Sequence, residues 1–303
     1  MQLTTLADKA KHYPQHLWIL AKSKVVLVML LCSYTGMLIS PGIAQQQSRA
    51  LFGLLGIGLH AIASAAYNQW YEQSIDSHMQ RTKHRPLATG SISNQEALIF
   101  CALTYVLGCI ILWYGTNSLA TMLSSLTALG YGIIYTQWLK PSTPQNIVIG
   151  GITGAMPPLL GWSCIQPSID HEPLLLVLLV FVWTPAHFWP LAIHNKNDYA
   201  HTKIPMLPNT HGIAFTKTSI LGYSYLTSVV SLLPFCTHMS SEIYLICAII
   251  INLRWLGHAH HFMHHTAHAM PFFKFSILYI ISIFSILVLD HSIMQHYHGP
   301  LFI

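Results

Sequence analysis

Residues 50–87 read ALFGLLGIGLHAIASAAYNQWYEQSIDSHMQRTKHRPL. The first 18, Ala50 to Tyr67, carry no charged side chain, whereas the next 20, Asn68 to Leu87, hold Glu72, Asp76, Arg81, Lys83 and Arg85. A helix crosses the hydrocarbon of a bilayer with roughly 20 mostly apolar residues. The stretch therefore reads as a transmembrane helix opening into a charged loop, and the chain around it as an integral membrane protein.

Apolar runs of the same length recur on both sides of it, near 24–43, 96–115, 118–138, 146–165, 173–193, 218–237, 242–261 and 272–290. Composition agrees. Of 303 residues, 53% are hydrophobic and 8% charged, whereas an average soluble domain carries about 25% charged residues, so a soluble fold is excluded. The expected fold is all-α: about nine transmembrane helices bundled around a central apolar cavity, as one domain over residues 1–303.

The basic residues orient the bundle. Lys9, Lys11, Lys22 and Lys24 precede the first span, and Arg81, Lys83 and Arg85 follow the second. Lys140 follows the fourth, Lys196, Lys203 and Lys217 the sixth, and Arg254 and Lys274 flank the last loop. These are 13 of the 14 Lys and Arg, and only Arg49 falls on the other side. The positive-inside rule puts the N-terminus and these loops in the cytoplasm. The net charge of +5 is thus topological, and nucleic acid is not needed to explain it. The first span reads as a retained helix, because its polar leader is long for a signal peptide. The six cysteines, all in apolar stretches and none in a CxxC pair, read as small buried hydrophobes.

Two loops on the basic side carry the candidate chemistry. Asn68, Glu72 and Asp76 are four residues apart, a spacing that keeps them on one face of a helix. An amide and two carboxylates offer hard oxygen ligands suited to Mg²⁺, which takes one or two carboxylates together with substrate phosphates. Arg81, Lys83 and Arg85 follow directly and match phosphate oxygens. The bland reading is a solvated loop whose acids pair with its own arginines, but the position at the end of a span favours function. In the second loop Asp198 is the only carboxylate, with Asn195 three residues before it and Lys203 beyond. Lys140 stands alone between Glu96 and Asp170. It suits lipid phosphate as well as a substrate diphosphate. Tyr131 and Tyr135 suit core packing or a cavity wall, and the histidines from His258 to His268 read as a variable interfacial stretch more than as a metal site.

The pattern Asn68, Glu72, Asp76, Met79, Arg81, Thr82, Arg85, Pro86, Leu87 resembles the first acidic motif of the UbiA-type intramembrane prenyltransferases. Four further stretches make the chain similar to one branch, the protoheme IX farnesyltransferases or heme O synthases. They are Tyr135 to Lys140, the glycine-rich Gly150 to Gly161 with Pro157 and Pro158, His187-Phe188-Trp189, and Asp198-Tyr199 with Ile204 to Pro208. The likeness runs from about residue 20 to 290. Many relatives have Asp at the positions of Glu72 and Ser74. The second Asp-rich motif of other members is matched here only by Asp198, which argues against an aromatic-acid acceptor.

The resemblance implies a Mg²⁺-dependent transfer of farnesyl from farnesyl diphosphate to a vinyl group of heme b, giving heme O. Asn68, Glu72, Asp76 and Asp198 would serve the metal; Arg81, Lys83, Arg85, Lys140 and Lys203 would serve the diphosphate. Tyr131, Tyr135, His187 and Trp189 would line the heme and prenyl pocket. The implied setting is a bacterial inner membrane, with the bilayer itself and a downstream heme-modifying enzyme as partners. Two rivals are a prenyltransferase with another lipid-soluble acceptor, such as a quinone precursor, and a non-catalytic membrane carrier of heme or metal. The carrier leaves the acidic and basic motif unexplained.

Overall fold

The computed structural model describes residues 5–202 and 204–298, with side chains over 12–202 and 204–295. Among them the chain is helical throughout, without strands. The helices are α1 (Thr5–Leu20), α2 (Ser23–Leu38), α3 (Gln47–Tyr71), α4 (Gln73–Asp76), α5 (Asn94–Gly115) and α6 (Ser118–Leu129). A π-helical stretch, Gly130–Leu139, carries α6 into α7 (Lys140–Ser142). Then come α8 (Asn146–Ala155), α9 (Pro157–Ile165), α10 (His171–His194), α11 (Lys196–Ala200) and α12 (Leu207–Thr210). The last are α13 (Gly212–Val230), α14 (Leu233–Cys236), α15 (Glu242–His264) and α16 (Ala269–His298).

Eight of the described helical stretches are long and apolar enough to cross a membrane, and a ninth arises if His12–Leu20 and Ser23–Leu38, bent by 52°, count as one. The bend falls at Lys22, whose φ of 47° is left-handed. Neither α1 nor this bend was expected from the sequence. The first span also stops at Leu38, short of the expected 43, because Pro41 and the left-handed Gly42 cannot continue a helix. The outer face of α5, with Ile99, Leu103, Val106 and Ile110, is exposed, as a lipid-facing stripe must be. Cys236 is exposed too, unlike the buried cysteines expected.

With hydrocarbon outside as well as in, helices associate through close packing rather than through burial from water, so small residues matter. A β-carbon on Gly36 would overlap the Pro158 carbonyl oxygen, and one on Gly161 that of Ser33. These reciprocal glycines press α2 against α9, backbone to backbone. On the other side α10 packs on α8, α9, α13 and α16. Between these groups lies a cavity of ≈ 330 Å³, walled by α2, α3, α6 with its π-helical extension, α8, α9 and α10. Lys22, bonded to Asn68 near the end of α3, is one of its lining residues.

Candidate active site

The face that carries Asn68, Glu72 and Asp76 survives an interruption. The sequence predicts one unbroken helix through Asp76, but α3 ends at Tyr71 and α4 begins at Gln73. Register is kept because the Glu72 N–H donates to the Asn68 carbonyl at 3.0 Å and the Asp76 N–H to that of Glu72 at 2.8 Å. All three side chains are buried.

Each of them is held by one cation. Lys22 Nζ donates to Asn68 Oδ1 at 2.5 Å, Lys140 Nζ to Glu72 Oε1 at 2.5 Å, and Arg85 Nη1 to Asp76 Oδ2 at 2.7 Å. Asn68 Nδ2 donates to Thr136 Oγ1 at 3.2 Å, which fixes the amide with its oxygen toward Lys22. Burial would raise the Glu72 carboxyl. The Lys140, Lys22 and Arg85 charges outweigh burial and hold it below its ordinary 4.5. Burial and the Arg85 charge push the Lys22 amine down to about 7, so three cations against two carboxylates leave a surplus of one positive charge (3 − 2 = +1) when Lys22 is protonated. Lys22 was read in the sequence only as a topological charge. Nothing there separates it from Lys24, which is exposed.

The π-helical stretch serves both site and cavity. Such turns are rare and cluster at functional sites. Here Thr136 and Lys140 meet Asn68 and Glu72, while Tyr131 and Tyr135 stack at 5.4 Å and line the cavity. Gly150 leaves room for this, since a β-carbon there would overlap Tyr135 Cδ2 and lie 2.6 Å from Cε2. His187 also lines the cavity, bonded through Nδ1 to Ser276 Oγ at 2.6 Å and stacked between Trp183 and Phe273.

Other expected residues are placed differently. Trp189 is not on the cavity wall but buried in the core, edge-on to Tyr223 at 5.5 Å. Two residues beyond His187 on an α-helix, it turns through about 200° to the opposite face. Asp198 stands beside the loop and not among the three ligands, its Oδ2 accepting from the Arg81 backbone N–H at 3.3 Å. Arg81 reaches the Tyr199 hydroxyl at 3.3 Å. Lys83 is exposed, and Lys203 lies outside the described residues. In the histidine run, His261 lies 4.6 Å ring to ring from both His265 and His268. Among the described residues no three His, Cys, Asp or Glu side chains are grouped to hold a metal.

The donor set nevertheless fits Mg²⁺: two carboxylates and an amide oxygen, all hard, leave positions for substrate oxygens. Their present partners are the cations Lys22, Lys140 and Arg85.

Comparison with known proteins places this arrangement. Residues 29–284 match the UbiA prenyltransferase family. Protoheme IX farnesyltransferase of Photobacterium profundum is 45% identical over 277 residues, covering 90% of this chain and 87% of that one. The protein of the same name from Thioalkalivibrio sulfidiphilus is 47% identical over 277 residues, covering 90% and 91%. Among solved structures, one of digeranylgeranylglyceryl phosphate synthase aligns with a TM-score of 0.76 at 18% identity, covering 94% of this chain and 99% of that one. A UbiA homologue from Archaeoglobus fulgidus bound to GPP and Mg²⁺ gives 0.63 at 17%, covering 90% and 99%. At such identities these two speak for the fold alone. Sequence motif, helical architecture and relatives agree, and the chain belongs to the UbiA prenyltransferase family, among its protoheme IX farnesyltransferases.

Proposed function

We propose that this integral membrane prenyltransferase moves the farnesyl group of farnesyl diphosphate onto a vinyl group of heme b, giving heme O and diphosphate for heme-copper oxidases. The observation that carries the reading is a cationic, oxygen-rich residue set joined through Lys22 to an apolar cavity sized for a prenyl chain. Its ≈ 330 Å³ lies in the range of small-molecule sites. Heme would meet the reacting carbon where the cavity wall carries His187.

Asn68, Glu72 and Asp76 would hold Mg²⁺, with Asp198 an outer member of the set. When bound, the ion supplies neutralisation of the departing diphosphate. Lys22, Lys140 and Arg85 hold the diphosphate oxygens, with Arg81 beside them, and favour the charge that develops there. The bond between C1 and oxygen breaks and its electron pair leaves with diphosphate. Tyr131 and Tyr135, stacked on the cavity wall, would stabilise the allylic cation through their rings, and the apolar walls keep water from it. The vinyl π electrons of heme form the new carbon–carbon bond. The cation then left on the heme side takes hydroxide from one water molecule, whose proton passes to solvent. His187, on the cavity wall, steadies the acceptor. We place the chain in a bacterial inner membrane with the basic loops inside, acting as one domain and handing its product to a heme-modifying enzyme.

The test is purified protein with heme b, farnesyl diphosphate and Mg²⁺, followed by mass analysis of the porphyrin. Addition of a hydroxyethylfarnesyl group is expected. An unmodified porphyrin beside a quinone precursor that accepts the prenyl group would transfer the assignment to that acceptor.

A further inference from the structure

The depth of the cavity can be measured along its α2 and α3 walls. From Lys22 to Cys32 is ten residues, and from Ala65 back to Ile57 on α3 is eight. At 1.5 Å per residue these give about 15 and about 12 Å. An extended fifteen-carbon prenyl chain is about that long, and a twenty-carbon chain is longer by a whole isoprene unit.

One turn above Ile57 stands His60, a polar ring in an apolar wall. It is fixed on every side. Nδ1 is 2.8 Å from Ser124 Oγ, and Nε2 is 3.2 Å from the Tyr105 carbonyl and 3.4 Å from Cys109 Sγ. Its ring stacks on that of Tyr105 at 4.9 Å. Behind it is Gly108, where a β-carbon would lie 2.5 Å from His60 Cδ2. Both ring nitrogens are satisfied by the protein, so the ring offers a ligand only its bulk. It cannot swing aside, and Gly108 has no side chain to fill the space it would vacate.

We propose that His60, together with Ile57 beneath it, is the stop that limits the donor to fifteen carbons. This rests on the reading of the cavity as the prenyl pocket. A histidine that merely tied α3 to α5 and α6 would affect stability but not the choice between chain lengths, so chain-length preference is the readout.

The experiment measures binding of the unreactive thiolodiphosphates of farnesyl and geranylgeranyl to the full-length protein with Mg²⁺, in wild type, His60→Ala and Ile57→Ala. The expected result is a rise of roughly tenfold or more in the geranylgeranyl-to-farnesyl affinity ratio for His60→Ala, the scale of a small misfit in an apolar pocket. Ile57→Ala should shift it the same way. Should His60→Ala fail to fold, Ile57→Ala decides alone, because it removes no hydrogen bond. A ratio within twofold of wild type in the folded variants, with farnesyl binding retained, overturns the proposal. Wild-type protein that binds neither analogue would instead defeat the functional reading itself.

Discussion

Gly150→Ala perturbs the site through one methyl group, and its effect can be worked from the geometry. The new β-carbon overlaps Cδ2 of Tyr135 and lies 2.6 Å from Cε2 and 3.2 Å from Cγ, where ordinary contact begins at 3.4 Å. It meets the flank of the ring, not the end of a flexible chain. The ring is rooted in the π-helical turn and backed by Tyr131. It must therefore move by about 1 Å, and its free side is the cavity. Overpacking of this kind costs about 1–3 kcal/mol, and a displacement of about 1 Å beside the reacting carbon costs on the order of 10²-fold in rate. Thermal unfolding in detergent and initial rates of heme farnesylation read the two effects separately. Gly154→Ala, one turn along α8 with nothing within 4 Å of the added carbon, should leave stability unchanged. In a Tyr135→Leu background most of the Gly150→Ala penalty should vanish. Full stability and full rate in Gly150→Ala would refute the claim that Tyr135 is held in place. A penalty that persists without the Tyr135 ring would locate the clash elsewhere.

Asp76→Asn should lower turnover by about 10²-fold or more, the scale of losing one charge-stabilising group, with heme binding intact; wild-type turnover would remove Asp76 from the metal set. Lys140→Met leaves Glu72 buried without its close partner. Losing one member of a buried pair costs up to about 3–5 kcal/mol, at the low end here because Lys22 and Arg85 remain near, and Mg²⁺ with farnesyl thiolodiphosphate should restore part of the lost melting temperature. The same variant has a pH signature. The depressed Glu72 carboxyl keeps its charge as pH falls through the ordinary carboxylate range; without Lys140, burial is opposed only by Lys22 and Arg85, protonation begins at higher pH, and the acid limb of turnover should move upward. Lys83→Ala should stay within about twofold of wild type, since an exposed lysine contributes little, whereas Lys22→Met should raise the KM for farnesyl diphosphate; equal effects would mean that the basic residues act only as a diffuse field.

What the sequence disclosed and what it hid divide along physical lines. Apolar runs set the spans, because bilayer thickness imposes one length on all of them. The spacing of Asn68, Glu72 and Asp76 revealed a shared face, because helical periodicity is local. Three things were not local. That Lys22 rather than Lys24 enters the site depends on the bend between α1 and α2. That Trp189 leaves the cavity while His187 lines it depends on how α10 is rotated against α13 and α16. The π-helical register that presents Tyr131, Tyr135, Thr136 and Lys140 together has no signature in a string that reads equally well as α-helix.

The cations held by the three ligands also bear on a puzzle in the sequence. A chain with only Asp198 from the second acidic motif has too few carboxylates to hold two divalent ions closely. With Lys22 protonated, the charges would balance with one ion. Lys22, Lys140 and Arg85 against Glu72 and Asp76 leave +1, and Arg81 beside Asp198 adds nothing net. A single Mg²⁺ raises the total to +3, which a fully ionised prenyl diphosphate cancels. A second ion would leave an excess of two positive charges in a site walled by hydrocarbon, where unbalanced charge is costly. On this count protein cations would take the part of a second metal, and the test is a Mg²⁺ titration with farnesyl thiolodiphosphate: one ion per bound analogue is expected, and two would overturn the count.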